Sequence, residues 1–93
     1  MDKQWLVYIL ECGDGSLYTG ITDHLPRRLK AHREGKGAKY TRGRGPLILR
    51  YLEYCEDHPA ALRREYQIKS LPRQEKLLLC GSCQEDLSKF DTK

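Results

Sequence analysis

Residues 4–12 place the strongest constraint on the fold, because this segment reads Gln-Trp-Leu-Val-Tyr-Ile-Leu-Glu-Cys. In an extended segment alternate side chains point to opposite faces, and here both faces are apolar. One face carries Trp5, Val7 and Ile9, and the other carries Leu6, Tyr8 and Leu10. A strand that is apolar on both faces is typical of the middle of a sheet, so we expect a central strand covered on each side.

A second strand is predicted directly after a short turn. Residues 13–15 read Gly-Asp-Gly, which is typical turn chemistry, and residues 17–21 are a short extended run. An odd-numbered loop centred on this turn places Gly20 opposite Tyr8. Tyr8 and Tyr18 then share one face of the hairpin as diagonal neighbours, about 7–8 Å apart at the backbone.

The first helix is predicted from an N-cap at Asp23 to a stop at Gly35. Pro26 falls in its first turn, a position where the missing backbone N–H has no intrahelical partner to lose. The stripe that faces the sheet contains Leu25, Leu29 and His32, with Arg28 beside His32. The helix therefore brings a basic and an imidazole side chain towards the sheet.

A second helix is predicted from an N-cap at Asp57, with Pro59 in its first turn, and it ends before Pro72. Glu65 lies in the middle of its apolar arc, with Lys69 one turn further along. The arc consists of Ala61, Leu62, Tyr66 and Ile68. An ionised carboxylate on a buried face needs a cation or hydrogen-bond donors, so Glu65 is either half of an ion pair with Lys69 or an arginine, or a metal ligand.

The remaining segments complete one small domain. Leu47–Cys55 is predicted as a third strand and Arg73–Leu79 as a short closing helix. The chain therefore combines strands and helices in an α/β fold, more narrowly of the α+β type. With 93 residues there is room for one core, so we expect a single domain over residues 1–82 and a frayed tail over 83–93. No apolar run approaches the ~18 residues of a membrane span and no leader pattern follows the first residues. We therefore expect a cytoplasmic protein with no membrane partner.

The charge of the chain is concentrated in residues 27–50, termed the basic window here. It holds nine basic residues and one acidic residue, so it carries +8 while the rest of the chain carries −4. This pattern is typical of a polyanion-binding face, although a solvated helix face followed by a charged loop would also produce it. Residues 35–46, with four glycines, are predicted as a mobile basic loop. Nucleic acid is the favoured partner, with contacts expected at Arg27, Lys36, Lys39, Tyr40, Arg42, Arg44 and Lys69.

The four cysteines do not indicate a disulfide framework, because nothing marks the chain as secreted. Cys12 and Cys55 lie in apolar runs and are interpreted as small buried hydrophobic residues. Cys80 and Cys83 form a C-x-x-C motif, which is either a redox pair or half of a zinc site. The motif lacks the strand-to-helix context of the first and the further ligands of the second, so a reduced, incidental pair is favoured.

The pattern directs five polar side chains towards one region: Tyr8, Tyr18, Arg28, His32 and Glu65. Phosphodiester hydrolysis would use such a set, with a divalent ion on the carboxylate, an arginine to offset charge, and a phenol or imidazole to orient or deprotonate water. A free phenol has a pKa near 10 and is a poor base at neutral pH unless a cation lowers it. The alternatives are cross-strand packing for the tyrosines, helix packing for the histidine and a structural ion pair between Arg28 and Glu65.

The same residues form the motifs of a known family. Leu6-Val7-Tyr8 and Tyr18-Thr19-Gly20 are similar to its Gly-Ile-Tyr and Tyr-Ile-Gly signatures. Arg28 follows eight residues after the second motif, His32 lies one turn later, and Glu65 matches the metal-holding glutamate. The chain therefore resembles the GIY-YIG nuclease superfamily, and in particular its small stand-alone bacterial members.

The resemblance covers Trp5 to Leu79, and residues 37–42 also match the small-protein group. The chain departs from the pattern at several points, and the C-x-x-C motif is not part of it. Leu6 stands where the first signature has glycine, and the asparagine that many members carry after the glutamate helix has no clear counterpart in Glu75-Lys76-Leu77.

The resemblance implies a three-stranded antiparallel sheet flanked by helices. It also implies an endonuclease that cuts DNA with one Mg²⁺ or Mn²⁺ ion held by Glu65, with Tyr8, Tyr18, Arg28 and His32 as the other catalytic residues. The short chain has little surface for reading bases, so we expect low sequence specificity and a setting in DNA repair or processing. RNA is the alternative substrate, and a non-catalytic nucleic-acid-binding module is the alternative function. The oligomeric state is left open, with a monomer as one option.

Overall fold

The computed structural model describes residues 4–90, except for the side chain of Lys89. Three strands, three α-helices and two short 3₁₀ turns follow one another along these residues. They are β1 (Leu6–Glu11), β2 (Leu17–Thr22), α1 (Leu25–Arg33), a 3₁₀ turn (Lys39–Thr41), β3 (Ile48–Tyr54), α2 (His58–Lys69), α3 (Arg73–Gly81) and a second 3₁₀ turn (Leu87–Phe90).

The strands form one antiparallel sheet in the order β2–β1–β3. The prediction of a central first strand is confirmed, and every side chain from Leu6 to Leu10 is at most 3% exposed. The predicted hairpin register is also confirmed, because Tyr8 lies opposite Gly20. The fold class, an α+β domain with a three-stranded antiparallel sheet, is as predicted.

Each face of the sheet packs against a separate helical layer, because β1 is apolar on both sides. On one face Leu6 and Leu10 belong to a core cluster with Leu25 and Leu29 of α1. On the opposite face the core cluster consists of Val7, Ile9, Tyr51, Ala61 and Ile68, the last two from α2. The Tyr8 side chain lies on the α1 face.

The starts of α1 and α2 each have a side-chain cap, but one cap is not the predicted residue. Asp57 caps α2 as expected, and its Oδ1 accepts a hydrogen bond from the backbone N–H of Ala60 at 2.9 Å. The predicted cap Asp23 is wrong, because α1 starts at Leu25 and its N-cap is His24. The imidazole Nδ1 of His24 accepts the hydrogen bond from the N–H of Arg27 at 3.2 Å. The inward stripe of α1 is confirmed, since Leu25, Leu29 and His32 are its buried residues.

The apolar arc predicted for α2 is only half buried. Ala61 and Ile68 are fully buried, whereas Leu62 is 46% exposed and Tyr66 is 75% exposed. The helix rotates by about 100° per residue, so Leu62 lies well to the side of the Ala61–Ile68 contact line. Glu65 lies close to that line and is partly buried.

The basic loop and the chain end are more closely packed than expected. The loop is tied to the β1–β2 turn, where the N–H of Gly13 donates to the carbonyl of Arg44 at 2.6 Å. Thr41 within the loop is only 2% exposed. A frayed tail was expected from residue 83, but Leu87 and Phe90 form part of a 3₁₀ turn and pack against the α1-side core. This corrects the expectation for residues 87–90, while residues 91–93 lie outside the described residues.

The prediction of a single domain over residues 1–82 stays a prediction. Within residues 4–90, none of the helices has the length and apolar character needed to cross a membrane.

Candidate active site

Tyr8 is the centre of a buried polar cluster between β1 and α1. Its hydroxyl lies 2.7 Å from Nε2 of His32, and it accepts a hydrogen bond from Nε of Arg28 at 3.4 Å. Tyr8 is 0% exposed and His32 is 2% exposed. The central strand supplies the tyrosine and the inward stripe of α1 supplies the histidine and the arginine, so the predicted faces of both elements meet here.

Burial favours the uncharged forms of both Tyr8 and His32. Burial raises the pKa of the Tyr8 phenol to about 12, even though the hydrogen bond from Arg28 acts in the opposite direction. The pKa of His32 is lowered to about 4, mainly by burial and further by the positive charge of Arg28. The hydrogen bond to Tyr8 raises the pKa of Arg28 further above its ordinary value, so the guanidinium stays charged. The cluster therefore pairs a neutral phenol and a neutral imidazole with one cation.

Gly20 in β2 has no side chain and so leaves space for the Tyr8 and Tyr18 rings. A Cβ at this position would lie 2.7 Å from the Tyr8 hydroxyl oxygen and 2.9 Å from Cε2 of Tyr18. Real Cβ atoms do not approach other atoms that closely, so a side chain here would push one of the two tyrosines aside. The glycine of the second motif is thus explained by close packing against both phenols.

Three aromatic rings lead from the buried cluster to the surface. The Tyr18 ring centroid lies 6.3 Å from that of Tyr8 and 5.3 Å from that of His32. On its other side Tyr18 contacts Tyr40 at 5.8 Å, and the guanidinium carbon of Arg44 lies 4.6 Å from the Tyr40 centroid. Tyr18 is half-buried, so it is the tyrosine of the pair that reaches solvent.

Glu65 lies on α2 and forms an ion pair. Its Oε2 is 3.2 Å from Nζ of Lys69, and its side chain is 20% exposed. Its negative charge makes a small contribution to the raised pKa of Tyr8. Of the two alternatives for Glu65, the ion pair is present in the structure. Lys69, expected to contact nucleic acid, is the partner in that pair.

The donor set of the site fits a hard divalent ion that keeps most of its water. Within residues 4–90, no group of three or more His, Cys, Asp or Glu side chains could hold a metal. Mg²⁺ is commonly bound through one or two carboxylates, with water and substrate phosphate completing its shell. Glu65 can supply one such carboxylate, provided that Lys69 gives up its contact with Oε2.

Thr41 is a buried member of the cluster that the sequence did not single out. Its Oγ1 lies 2.9 Å from Nδ1 of His32 and donates a hydrogen bond to the carbonyl of Ala38 at 3.0 Å. Gly37 packs so closely on the His32 ring that a Cβ there would overlap it. Nothing in the sequence pattern predicted this contact, because residues 35–46 have no periodicity that indicates which side chain turns inward.

The basic residues expected to contact nucleic acid fall into two groups. Arg44 forms a 2.6 Å ion pair with Asp14 of the hairpin turn. The others in the window line exposed positions on α1 and the loop, namely Arg27, Lys36, Lys39 and Arg42. The exposed group is free of the site's internal packing and presents its charge to solvent.

The cysteines remain free thiols. Cys12 is buried and Cys55 is half-buried, and burial raises the pKa of the Cys55 thiol. Cys80 and Cys83 are half-buried against the α2-side core, and burial also raises the pKa of Cys80. A raised thiol pKa lowers the fraction of the reactive thiolate, so the C-x-x-C has neither the electrostatics of a redox pair nor, among the described residues, further metal ligands.

The α+β fold, with a Tyr–His–Arg cluster and a carboxylate beside a basic surface, fits the class of GIY-YIG domains. The comparison with known families shows this class, because the model of the GIY-YIG catalytic domain matches residues 4–77. The chain belongs to the GIY-YIG nuclease superfamily.

Similar proteins carry the same small domain. UPF0213 protein OB0043 of Oceanobacillus iheyensis is 56% identical over 79 residues, which cover 85% of this chain and 92% of the relative. UPF0213 protein CPE1444 of Clostridium perfringens is 58% identical over 76 residues, 82% of each chain. The solution NMR structure of UPF0213 protein BH0048 from Bacillus halodurans is 50% identical, with a TM-score of 0.55, and the match covers 84% of this chain and 83% of that one. This likeness supports the fold described above.

Proposed function

We propose that the protein is a divalent-metal-dependent endonuclease that hydrolyses phosphodiester bonds in DNA with little sequence preference. The observation that carries the proposal is the cluster itself, in which Arg28 is held by a buried phenol at the margin of the basic window. Arginine offsets the negative charge that develops on a phosphate in the transition state. DNA repair or processing in the cytoplasm is the proposed setting.

The proposed site residues around the cluster divide into an outer and an inner group. Tyr18, half-buried, orients the attacking water, and Arg28 contacts the phosphate. Tyr8 and His32 lie behind them and fix the guanidinium through the Tyr8 hydroxyl. The Tyr8 phenol is fully buried and its pKa is about 12, which supports giving the water to Tyr18 and a positioning part to Tyr8. The resemblance had left open which of the two tyrosines orients or deprotonates the water.

Glu65 would hold a Mg²⁺ or Mn²⁺ ion, which when bound supplies a Lewis acid for the phosphate and lowers the pKa of water. Low sequence preference is proposed because the charged side chains that the window exposes are, apart from Glu34, lysines and arginines, which contact phosphates regardless of the bases. RNA remains an alternative substrate, because phosphate contacts alone do not distinguish the two polymers.

A second candidate function is a nucleic-acid-binding module without catalysis. One observation favours it: Lys69 neutralises Glu65, the carboxylate proposed to hold the metal. The module would keep salt-sensitive binding through the basic window and show no turnover.

Cleavage of end-labelled DNA distinguishes the two functions. Wild-type protein, Glu65→Gln and Glu56→Gln are incubated with single-stranded DNA, duplex DNA and RNA, with Mg²⁺, with Mn²⁺ or with a chelator. Glu56 is an exposed residue between β3 and α2, outside the basic window, and its substitution makes the same change of charge. We expect metal-dependent cleavage that falls about 100-fold or more in Glu65→Gln and is retained in Glu56→Gln. Equal cleavage by the two variants would contradict the nuclease proposal, and binding without cleavage by wild type would support the module.

A further inference from the structure

The two shortest hydrogen bonds of His32, to Tyr8 and to Thr41, have one consistent direction. Arginine carries only donors, so the Tyr8 oxygen accepts from Nε of Arg28, which leaves the phenol proton to be donated elsewhere. The nearest acceptor is Nε2 of His32 at 2.7 Å. An Nε2–H on His32 would instead present a second donor to the Tyr8 oxygen and leave the buried phenol proton without this partner, which is costly in a dry interior.

The other nitrogen of His32 completes the chain. Thr41 has a single hydroxyl proton, and its Oγ1 donates to the carbonyl of Ala38 at 3.0 Å. The Thr41 oxygen is therefore an acceptor for an Nδ1–H of His32, 2.9 Å away. Hydrogen bonds then run from Arg28 through Tyr8, His32 and Thr41 to Ala38.

We propose that Thr41 is a positioning residue that fixes His32 as the Nδ1–H tautomer and, through Tyr8, holds the Arg28 guanidinium in place. The proposal deepens the proposed function, on which it rests for its catalytic consequence. It assigns to the basic loop a second task besides carrying charge, because Thr41 lies between the exposed Tyr40 and Arg42 while being itself buried.

The structure also contains the alternative arrangement that loss of Thr41 would favour. The backbone N–H of Ala38 points at Nδ1 of His32 over a longer distance, 3.4 Å, so it competes with Thr41 for this nitrogen. Without the threonine hydroxyl, an Nδ1 lone pair can accept this N–H, and the imidazole proton then belongs on Nε2, facing Tyr8. The Tyr8 oxygen would face two donors and its hold on Arg28 would weaken.

The tautomer can be read directly from the imidazole ¹⁵N resonances of the full-length protein at pH 7. We expect an Nδ1–H signal for His32 in wild type and in Thr41→Ser, and an Nε2–H signal in Thr41→Val. The matched control is Thr19→Val, which removes the hydroxyl of another buried threonine, on β2, whose side chain lies on the opposite face of the sheet. This control should keep the wild-type tautomer.

The position of Arg28 is read from its side-chain Nε–H resonance and from cleavage. Thr41→Val should shift that resonance and lower kcat about 10- to 100-fold with DNA affinity unchanged, and Thr41→Ser should restore both. An Nε2–H tautomer in wild type, or no change of tautomer in Thr41→Val, would overturn the proposal. A change of tautomer in Thr41→Val that leaves the Arg28 resonance unchanged and, in an active enzyme, leaves kcat unchanged would also overturn the proposal.

The wild-type tautomer and Thr41→Ser keep the proposal testable if Thr41→Val does not fold. A wild type that cleaves nothing would contradict the proposed function alone, because the two NMR readouts would still decide the role of Thr41.

Discussion

The Tyr8 phenol uses its proton on His32 and a lone pair on Arg28, and it has no exposed surface. A buried pair of neutral groups is stable only while both stay neutral, because an added charge would have to be desolvated. The cluster therefore links the protonation of one histidine to the stability of the whole domain. This link can be measured whether or not the protein cleaves DNA.

His32 is expected to remain neutral far below the ordinary histidine range. Its folded-state pKa of about 4 lies below the 6.5 of the unfolded chain, so between these values the unfolded state binds a proton that the folded state does not. The free energy of unfolding should be fully retained above pH 6.5 and fall as the pH drops towards 4, by at most about 3 kcal/mol from this group. Urea denaturation at a series of pH values and NMR titration of the imidazole measure both effects. A His32 midpoint near 6.5 would contradict the burial argument.

At the scale of elements, the site depends on how closely β2 and the basic loop approach β1 and α1. Gly20 allows β2 to lie against the two phenols, and Gly37 allows the loop to lie on the His32 ring. The first contact joins the two strands of the hairpin, and the second joins the loop to the last turn of α1. They therefore connect the packing of the sheet to the geometry of the site.

Gly20→Ala should damage the site more than the fold. The added Cβ would meet Tyr8 and Tyr18 within 3 Å, so we expect a loss of about 1–3 kcal/mol in stability and nearly complete loss of cleavage. Gly81→Ala is the matched control, because a Cβ at that last residue of α3 meets nothing within 4 Å. It should keep wild-type cleavage and be as stable as wild type or slightly more so. Chemical denaturation and DNA cleavage test both variants, and full activity in Gly20→Ala would refute the packing argument.

The sequence predicts this geometry where periodicity or turn length controls it. The alternating pattern of β1 and the short turn are sufficient to place Gly20 opposite Tyr8. The cap of α1 is not predictable in this way. His24 occupies the N-cap position because its imidazole accepts the local backbone hydrogen bond, although aspartate is the more usual N-cap residue. The contact of Thr41 with His32 could not be predicted, because it depends on the path of an irregular loop. The exposure of Tyr66 was also missed, since the pattern shows an apolar arc but not how wide a stripe the sheet covers.

At the scale of the whole molecule, the basic window is partly neutralised by the acidic remainder of the chain. Arg44 pairs with Asp14 and Arg50 pairs with Glu11, each at 2.6 Å. Both acids lie outside the window, near the β1–β2 turn. These pairs fix the loop and β3 to the hairpin, and the charge available to a polyanion is concentrated on the exposed residues of α1 and the loop.

The salt dependence of DNA binding should therefore depend on which basic side chains are removed. A triple variant in the window, Lys36→Gln with Lys39→Gln and Arg42→Gln, should lower the slope of log K against log salt by up to about 2–3, because each lost phosphate contact on duplex DNA removes about 0.9. The matched control, Arg63→Gln with Arg73→Gln and Lys76→Gln, makes the same change of net charge on α2 and α3 and should leave the slope nearly unchanged. Fluorescence anisotropy at several salt concentrations measures both slopes. If the two triples reduce the slope equally, net charge controls binding and the window has no special role. A reduction confined to the first triple places the DNA along the loop, whose Tyr40 contacts Tyr18.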